Sequence, residues 1–319
     1  MKNIILLVGG EPNSINSEII FKSLKKMSNK LQKRIYLISN YELIKKQFKL
    51  LKYKKKLVKV KNPFQIYNKN ELKIINIDLK FKNPFKVSNK ESSKFIINSL
   101  NCAHKYSLNR NVVALINCPI NKQLLNKKEY GVTEYLAKKC NISDNSEVML
   151  IKNKKLAVCP ITTHQDVKNI SKKISSDLII KIIKVINRWY INRMKKKPKI
   201  AVLGLNPHNS EFRKNSEEIK KIIPAIHYLK RLKINLGGPY SADTIFINDY
   251  KKFDVIVGMY HDQVLSPFKA LFQYDAINMT LGLSYLRISP DHGIASNLIK
   301  KGKASSESLQ KCFDFFKNL

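Results

Sequence analysis

The chain has 319 residues, 44% of them hydrophobic, and a formal net charge of +37 at pH 7. That length suits two modest domains or one large one, since a single core stops growing at roughly 250–300 residues, and it excludes a peptide hormone or a disordered tail. The longest apolar runs, such as Ile4–Val8, fall far short of the ~20 residues of a bilayer span, and the run before Gly9 is too short for the ~7–15-residue core of a signal peptide. A cytoplasmic protein that does not engage membranes is expected.

The first element is Asn3–Val8, an apolar run ended by Gly9-Gly10, which reads as a buried parallel strand entering a loop. Ile35–Ile38, Val112–Ile116 and Leu156–Val158 repeat the pattern. A helix is expected over about Gln165 to Met194, where Val167, Ile170, Ile174, Leu178, Ile182, Val185, Ile186 and Trp189 recur at three- and four-residue spacing. The basic stretch Met194-Lys-Lys-Lys leads to Pro198, which cannot continue that helix and releases the chain into a strand at Ile200–Leu205. A further strand is expected at Phe253–Val257. Strands alternating with helices imply an α/β fold with a largely parallel sheet. No internal repeat is present. The five cysteines (Cys102, Cys118, Cys140, Cys159, Cys312) contain no C-x-x-C pair and read as isolated buried thiols.

The charge is unevenly spread. Residues 200–299 hold eleven Lys and Arg against nine Asp and Glu, a net of +2, so the excess lies almost wholly elsewhere. There the lysines interleave with Ile, Leu and Asn, as on solvated helix faces. No aromatic-interleaved basic motif accompanies them, so specific nucleic-acid binding is not expected, although weak polyanion binding would come with the charge.

Ligands of open α/β sheets bind at the carboxyl ends of the strands. Past the three expected strand ends come Thr163-His164, Asn206-Pro207-His208 and Tyr260-His261-Asp262, so three of the six histidines lie there. Three converging imidazoles with an open position would make a catalytic metal site; each alone could equally be an ordinary loop histidine. Lys269 and Arg287 occupy the least basic region, where a cation suits either an anionic substrate or a surface ion pair. Asp262 and Asp243 could orient metal-bound imidazoles or accept a proton, and Asp243 could instead cap a helix. The dinucleotide fingerprint G-x-G-x-x-G is absent.

Taken in order, Asn206-Pro-His208, Gly238-Pro-x-x-Ala-Asp243-Thr, Met259-Tyr-His261-Asp262-Gln, Asn278-x-Thr-Leu-Gly282-Leu and Pro290-Asp-His292-Gly293 closely resemble the 4-hydroxythreonine-4-phosphate dehydrogenase family. Weaker matches at Gly10-Glu11-Pro12 with Glu18, Cys118-Pro-Ile-Asn-Lys122, Gly131-Val-Thr133-Glu134-Tyr and Thr163-His164 extend the likeness over nearly the full length.

The resemblance implies an isocitrate/isopropylmalate-dehydrogenase-like fold. Residues 1–319 would form one catalytic unit of two lobes with the active site in the cleft between them, completed in a homodimer with the site at its interface. It implies an enzyme of vitamin B6 biosynthesis that oxidises 4-phosphohydroxy-L-threonine with NAD or NADP, the product decarboxylating to 3-amino-2-oxopropyl phosphate. The family's metal ligands correspond to His164, His208 and His261, holding one divalent ion of Zn, Mg, Mn or Co. Its substrate residues correspond to Val132, Thr133, Lys269, Asn278 and Arg287. Asp291, His292 and Gly293 are expected at the cofactor, and Asp243, Asp262 and Lys269 are the catalytic candidates. The chain departs from the family pattern where Gly131-Val132-Thr133 replaces Gly-His-Thr, where Ser14-Ile-Asn-Ser-Glu18 replaces Gly-Ile-Gly-Pro-Glu, and at Val264, which replaces a Gly. Two other readings stand beside this one: a paralogue acting on another phosphorylated hydroxy acid, and a non-catalytic polyanion-binding protein.

Overall fold

The structure, a computed structural model, describes residues 3–65, 67, 70–125, 131–142, 147–163, 165–273 and 275–317. The chain forms two compact units, Met1–Asn141 with Leu283–Leu319, and Ile142–Gly282.

The first unit opens with β1 (Ile4–Val8), α1 (Asn16–Lys25), α2 (Asn29–Gln32), β2 (Ile35–Ser39) and α3 (Tyr41–Leu50). It continues through β3 (Leu57–Val60), β4 (Leu72–Asn76), α4 (Asn89–Ser107), β5 (Val112–Asn117) and α5 (Val132–Lys139). The second unit contains β6 (Val148–Lys152), β7 (Ala157–Thr162), α6 (Ile170–Lys173), α7 (Ser176–Trp189), β8 (Ile200–Leu203) and α8 (Ile223–Arg231). After these come β9 (Leu236–Tyr240), α9 (Ala242–Ile245), β10 (Val255–Tyr260), α10 (His261–Phe272) and β11 (Ile277–Leu281). The chain then returns to the first unit as β12 (Arg287–Pro290) and α11 (Glu307–Asp314).

In the first unit the strand order is β3-β4-β2-β1-β5-β12, and every pairing is parallel. β1 and β2 are buried along their whole length, which is why they read as unbroken apolar runs rather than alternating ones. The outermost strand, β3, carries an exposed Lys59 and is mostly half-buried, as suits an edge that must not recruit another chain. Ile4, Leu6, Tyr36, Phe95, Leu100 and Leu136 belong to the core between sheet and helices.

In the second unit the order is β11-β6-β7-β10-β8-β9. Only β6 runs against its neighbours; β7, β10, β8 and β9 are parallel. The α/β, largely parallel architecture read from the sequence is therefore present. Several strands were not legible, among them β6, β11 and β12: β6 is a four-residue apolar run closed by Lys152, Asn278 interrupts β11, and Arg287 opens β12.

The single helix expected over about 165–194 is broken. α6 ends at Lys173 and α7 starts at Ser176, with Ile174 extended between them (ψ 132°). The apolar spacing survives the break because Ile174 stays in the core at 1% exposure, so periodicity alone did not reveal it. The cause is capping: Ser175 lies in extended backbone and its Oγ accepts the Leu178 N–H at 3.2 Å. Among the described residues no helix is long and apolar enough to cross a membrane. Ser175→Ala should cost about 1 kcal/mol, the usual value of such a cap. The expected result is a lower denaturant midpoint with unchanged far-ultraviolet circular dichroism.

Candidate functional site

In the second unit the parallel order β7-β10-β8 sets three carboxyl ends side by side. His164 follows β7 but lies outside the described residues. His261 is the first residue of α10, directly after β10. His208 follows β8 in a short turn. Side chains tie these ends together: Thr162 Oγ1 donates to the Met259 carbonyl at 2.8 Å, and Gln263 Nε2 donates to the Gly204 carbonyl at 2.8 Å. Gln263 Oε1 also accepts the Met259 N–H at 2.7 Å, so one amide fixes the ends of both β10 and β8.

The turn bearing His208 has an uncommon backbone. His208, Asn209, Ser210, Glu211 and Phe212 all have φ between 49° and 56°, the left-handed region, and none of them is glycine. For L-residues this costs roughly 1–2 kcal/mol each, so the turn persists only if its surroundings over-determine it. A buried carboxylate anchors the entry to the turn. Glu218 Oε1 accepts the N–H groups of Leu205 at 2.8 Å and Asn206 at 2.9 Å, and its Oε2 lies 3.1 Å from Asn206 Nδ2. Hydrogen bonds to a charged group contribute about 1.5–3 kcal/mol each, the same scale as the strain. Burial alone would raise the Glu218 pKa, but the bonds from Asn206 and Leu205 prevail and hold it below the ordinary carboxylate value. Glu217 accepts from Ser171 Oγ and from Asn206 Nδ2, and these bonds keep its pKa low too. A Cβ on Gly204 would lie 2.0 Å from Asn209 Oδ1, so a larger residue there would displace the Asn209 side chain.

Asp262 stands beside His261, with Oδ1 at 2.7 Å from Nδ1. Asp243 is exposed in the first turn of α9; Ser241 occupies the cap position, so Asp243 is not the helix cap considered from sequence. Lys269 is exposed in the last turn of α10. Asn278 lies on β11 with its Oδ1 buried and without a hydrogen-bond partner.

The other expected residues belong to the first unit. Arg287, 4% exposed, donates from Nε to Asn117 Oδ1 at 2.7 Å and from Nη1 to Thr133 Oγ1 at 3.2 Å. Burial lowers its pKa to about 10, against the pull of Glu134, so it stays charged at neutral pH. Val132 is the first residue of α5 and packs, half-buried, against the apolar core. Past β12, His292 Nδ1 lies 2.9 Å from the Gly293 carbonyl, while its Nε2 is buried without a partner. A Cβ on Gly293 would meet nothing within 4 Å. Arg287 and Thr133 are thus brought together; His208, His261, Asp262, Lys269, Asn278 and Asp243 lie in the other unit.

Among the described residues no three His, Cys, Asp or Glu side chains gather to hold a metal ion. The donors present still suit one. His208 and His261 supply imidazoles from neighbouring strand ends, and Asp262 gives His261 the carboxylate partner that metal-ligating histidines usually have. The unpartnered Nε2 of His292 and Oδ1 of Asn278 are polar atoms that a bound cofactor or substrate could satisfy.

Residues 30–315 match the family described as pyridoxal phosphate biosynthetic protein PdxA. The chain belongs to this family. A relative from Sulfurihydrogenibium sp. (strain YO3AOP1), named 4-hydroxythreonine-4-phosphate dehydrogenase, is 37% identical over 316 residues, covering 94% of this chain and 92% of its own. An Oceanobacillus iheyensis protein, named provisionally as a D-threonate 4-phosphate dehydrogenase, is 31% identical over 317 residues, covering 97% and 95%. The crystal structure of 4-hydroxythreonine-4-phosphate dehydrogenase from Klebsiella pneumoniae superposes with a TM-score of 0.86 at 28% identity, over 99% of this chain and 97% of that one.

Sequence reasoning assigned no task to Glu11, Asn117, Glu217, Glu218 or Gln263. A signal existed for Glu217-Glu218: adjacent acids are scarce in a chain with 23 Asp and Glu against 60 Lys and Arg. Glu11, 5% exposed in the loop after β1, has its pKa pushed up from 4.5 to about 7 by burial, only partly opposed by the Asn121 N–H. A carboxyl with a raised folded-state pKa contributes stability that is complete below its unfolded pKa of 4.5 and is lost as pH rises through about 7. At about 1.4 kcal/mol per unit the loss amounts to about 3 kcal/mol. Glu11→Gln, which mimics the protonated form, should therefore gain about that much over wild type as pH rises from 4.5 to 7.5, measured by urea unfolding at each pH.

Proposed function

We propose that this PdxA-family chain is a metal-dependent dehydrogenase that oxidises 4-phosphohydroxy-L-threonine with NAD or NADP in pyridoxine 5'-phosphate biosynthesis, working as a homodimer with the site at its interface. The observation that carries this reading is the parallel run β7-β10-β8, whose adjoining ends lead to His164, His261 and His208. A divalent ion held by these imidazoles would supply Lewis acidity, easing loss of the C3 hydroxyl proton near pH 7 and later loss of CO₂ from the β-keto acid. The nicotinamide would accept the hydride from C3.

The chain's own groups do the rest. Asp262 accepts the Nδ1 proton of His261, which makes Nε2 the ligating nitrogen and holds the ring in orientation. With Asp262 so engaged, Asp243 is the acceptor of the C3 hydroxyl proton. Lys269 supplies positive charge to the substrate's phosphate or carboxylate, and the planar guanidinium of Arg287, prealigned by Asn117 and Thr133, suits two-pronged contact with the same groups. Asn278 Oδ1 accepts from the substrate's amino group. Asp291, His292 and Gly293 lie at the cofactor.

Metal analysis of the purified protein tests the ligand set. One divalent ion per subunit is expected in wild type, and His164→Ala, His208→Ala and His261→Ala should each lose most of it, with His227→Ala unchanged. Unaltered metal content in all three would refute the assignment.

Val132 favours a second reading, a phosphorylated hydroxy acid lacking the amino group, since an apolar side chain replaces the imidazole of the family pattern and D-threonate 4-phosphate is named for one relative. The first reading expects Val132→His to raise kcat/KM on phosphohydroxythreonine ten- to a hundredfold, equivalent to about 1.4–2.8 kcal/mol of restored transition-state contact. Wild type that is efficient on an acid without the amino group, and that Val132→His impairs by burying an unmatched ring, would favour the second. Steady-state kinetics on both substrate types decides between them.

A further inference from the structure

We propose that Glu218 is a positioning residue for His208: its buried carboxylate anchors the strand exit of the left-handed turn and so sets where the imidazole stands for a metal ion. The inference rests on the reading of His208 as a ligand and goes beyond it by assigning the turn's geometry to a residue ten positions further on.

Four observations converge. The turn is left-handed at five successive non-glycine residues, a conformation the chain does not hold by its own preference. Glu218 is 0% exposed, so its carboxylate must be satisfied by donors of the protein itself. Every hydrogen bond described to its carboxylate from this region comes from Leu205 or Asn206, the residues between β8 and His208. Asn206 Nδ2 also reaches Glu217 Oε2 at 2.9 Å, so the link from turn to helix is doubled. Glu218 does not itself reach His208; it acts through the backbone two and three residues ahead of the ligand. Gln263 holds the exit of β10 and, through the Gly204 carbonyl, the end of β8, while the two N–H groups that follow Gly204 are held by Glu218.

Glu218→Gln keeps the size of the side chain but removes its charge, and whichever way the amide is turned its nitrogen faces either the backbone N–H groups or the Asn206 side-chain amide nitrogen, a donor against a donor. Wild type, Glu218→Gln and His208→Ala are to be titrated with cobalt(II), reading affinity from the d–d absorption and coordination from its shape, with amide hydrogen exchange over 205–212 measured in parallel on the metal-free proteins. The expected result is a Kd for cobalt(II) weakened ten- to a hundredfold in Glu218→Gln, a spectrum displaced toward that of His208→Ala, and faster exchange at Leu205 and Asn206. If His208→Ala loses cobalt while Glu218→Gln binds it with wild-type affinity and spectrum, the inference is overturned and the proposed function stands. If His208→Ala binds as wild type does, the ligand reading itself fails and takes the inference with it. Should Glu218→Gln not fold, Glu218→Asp, which keeps the charge but draws it back by one methylene from the Leu205 and Asn206 N–H groups, is judged by the same measurements: at least a severalfold loss of cobalt affinity supports the inference, and none overturns it.

Discussion

Parallel pairing is the constraint on which the rest depends. Three strands laid side by side in one direction deliver three chain segments to one edge, whatever the sequence distance between them: His164 and His208 are separated by a long helical crossover, and His208 and His261 by α8, β9 and α9. The ladder does this through backbone hydrogen bonds alone, so it sets where the segments emerge but not how their side chains point. That second task falls to polar groups at the strand ends, Thr162, Gln263 and Glu218, each of which satisfies backbone atoms that the ladder leaves without partners.

The division of labour explains what could be read in advance. Strands buried on both faces appear as apolar runs, so β1, β2, β5, β7, β8 and β10 were visible, and with them the strand ends that precede His208 and His261. β11 and β12 were hidden by polar residues: Arg287 opens β12 and Asn278 interrupts β11, and a polar residue in a short run lowers the signal to that of a loop. The break at Ser175 was hidden for a different reason, because an extended pair of residues between two helices can return the apolar stripe to the same face. Positioning groups were the least legible of all. Nothing in Glu218 or Gln263 as residue types distinguishes a carboxylate that accepts three N–H donors from one on a solvated helix.

The net charge looks different once the units are known. A lysine-rich composition has to be accommodated even in the interior, and Lys73 shows how: it is fully buried on β4, its Nζ donates to the Lys33 carbonyl at 2.8 Å and lies 4.7 Å from the Tyr36 ring centroid. Burial, then the repulsion of Lys55 and Lys33, lowers its pKa to about 8. Lys73 is thus held by a structural contact inside the fold and owes its place to no ligand. The polyanion-binding reading therefore gains no support from charge alone, whereas Arg287, buried against Asn117 and Thr133, occupies a position that apolar packing would fill more cheaply.

Why a carboxylate, and not a lysine pair or an apolar contact, holds the His208 turn follows from what must be fixed. Hydrophobic packing is non-directional and would tolerate several backbone paths through residues 205–212. An ion pair with one of the many lysines would orient side chains whose own freedom is large, and it would leave the backbone uncommitted. A buried carboxylate accepting N–H groups from consecutive residues is directional at the backbone itself, because the two donors must converge on one oxygen.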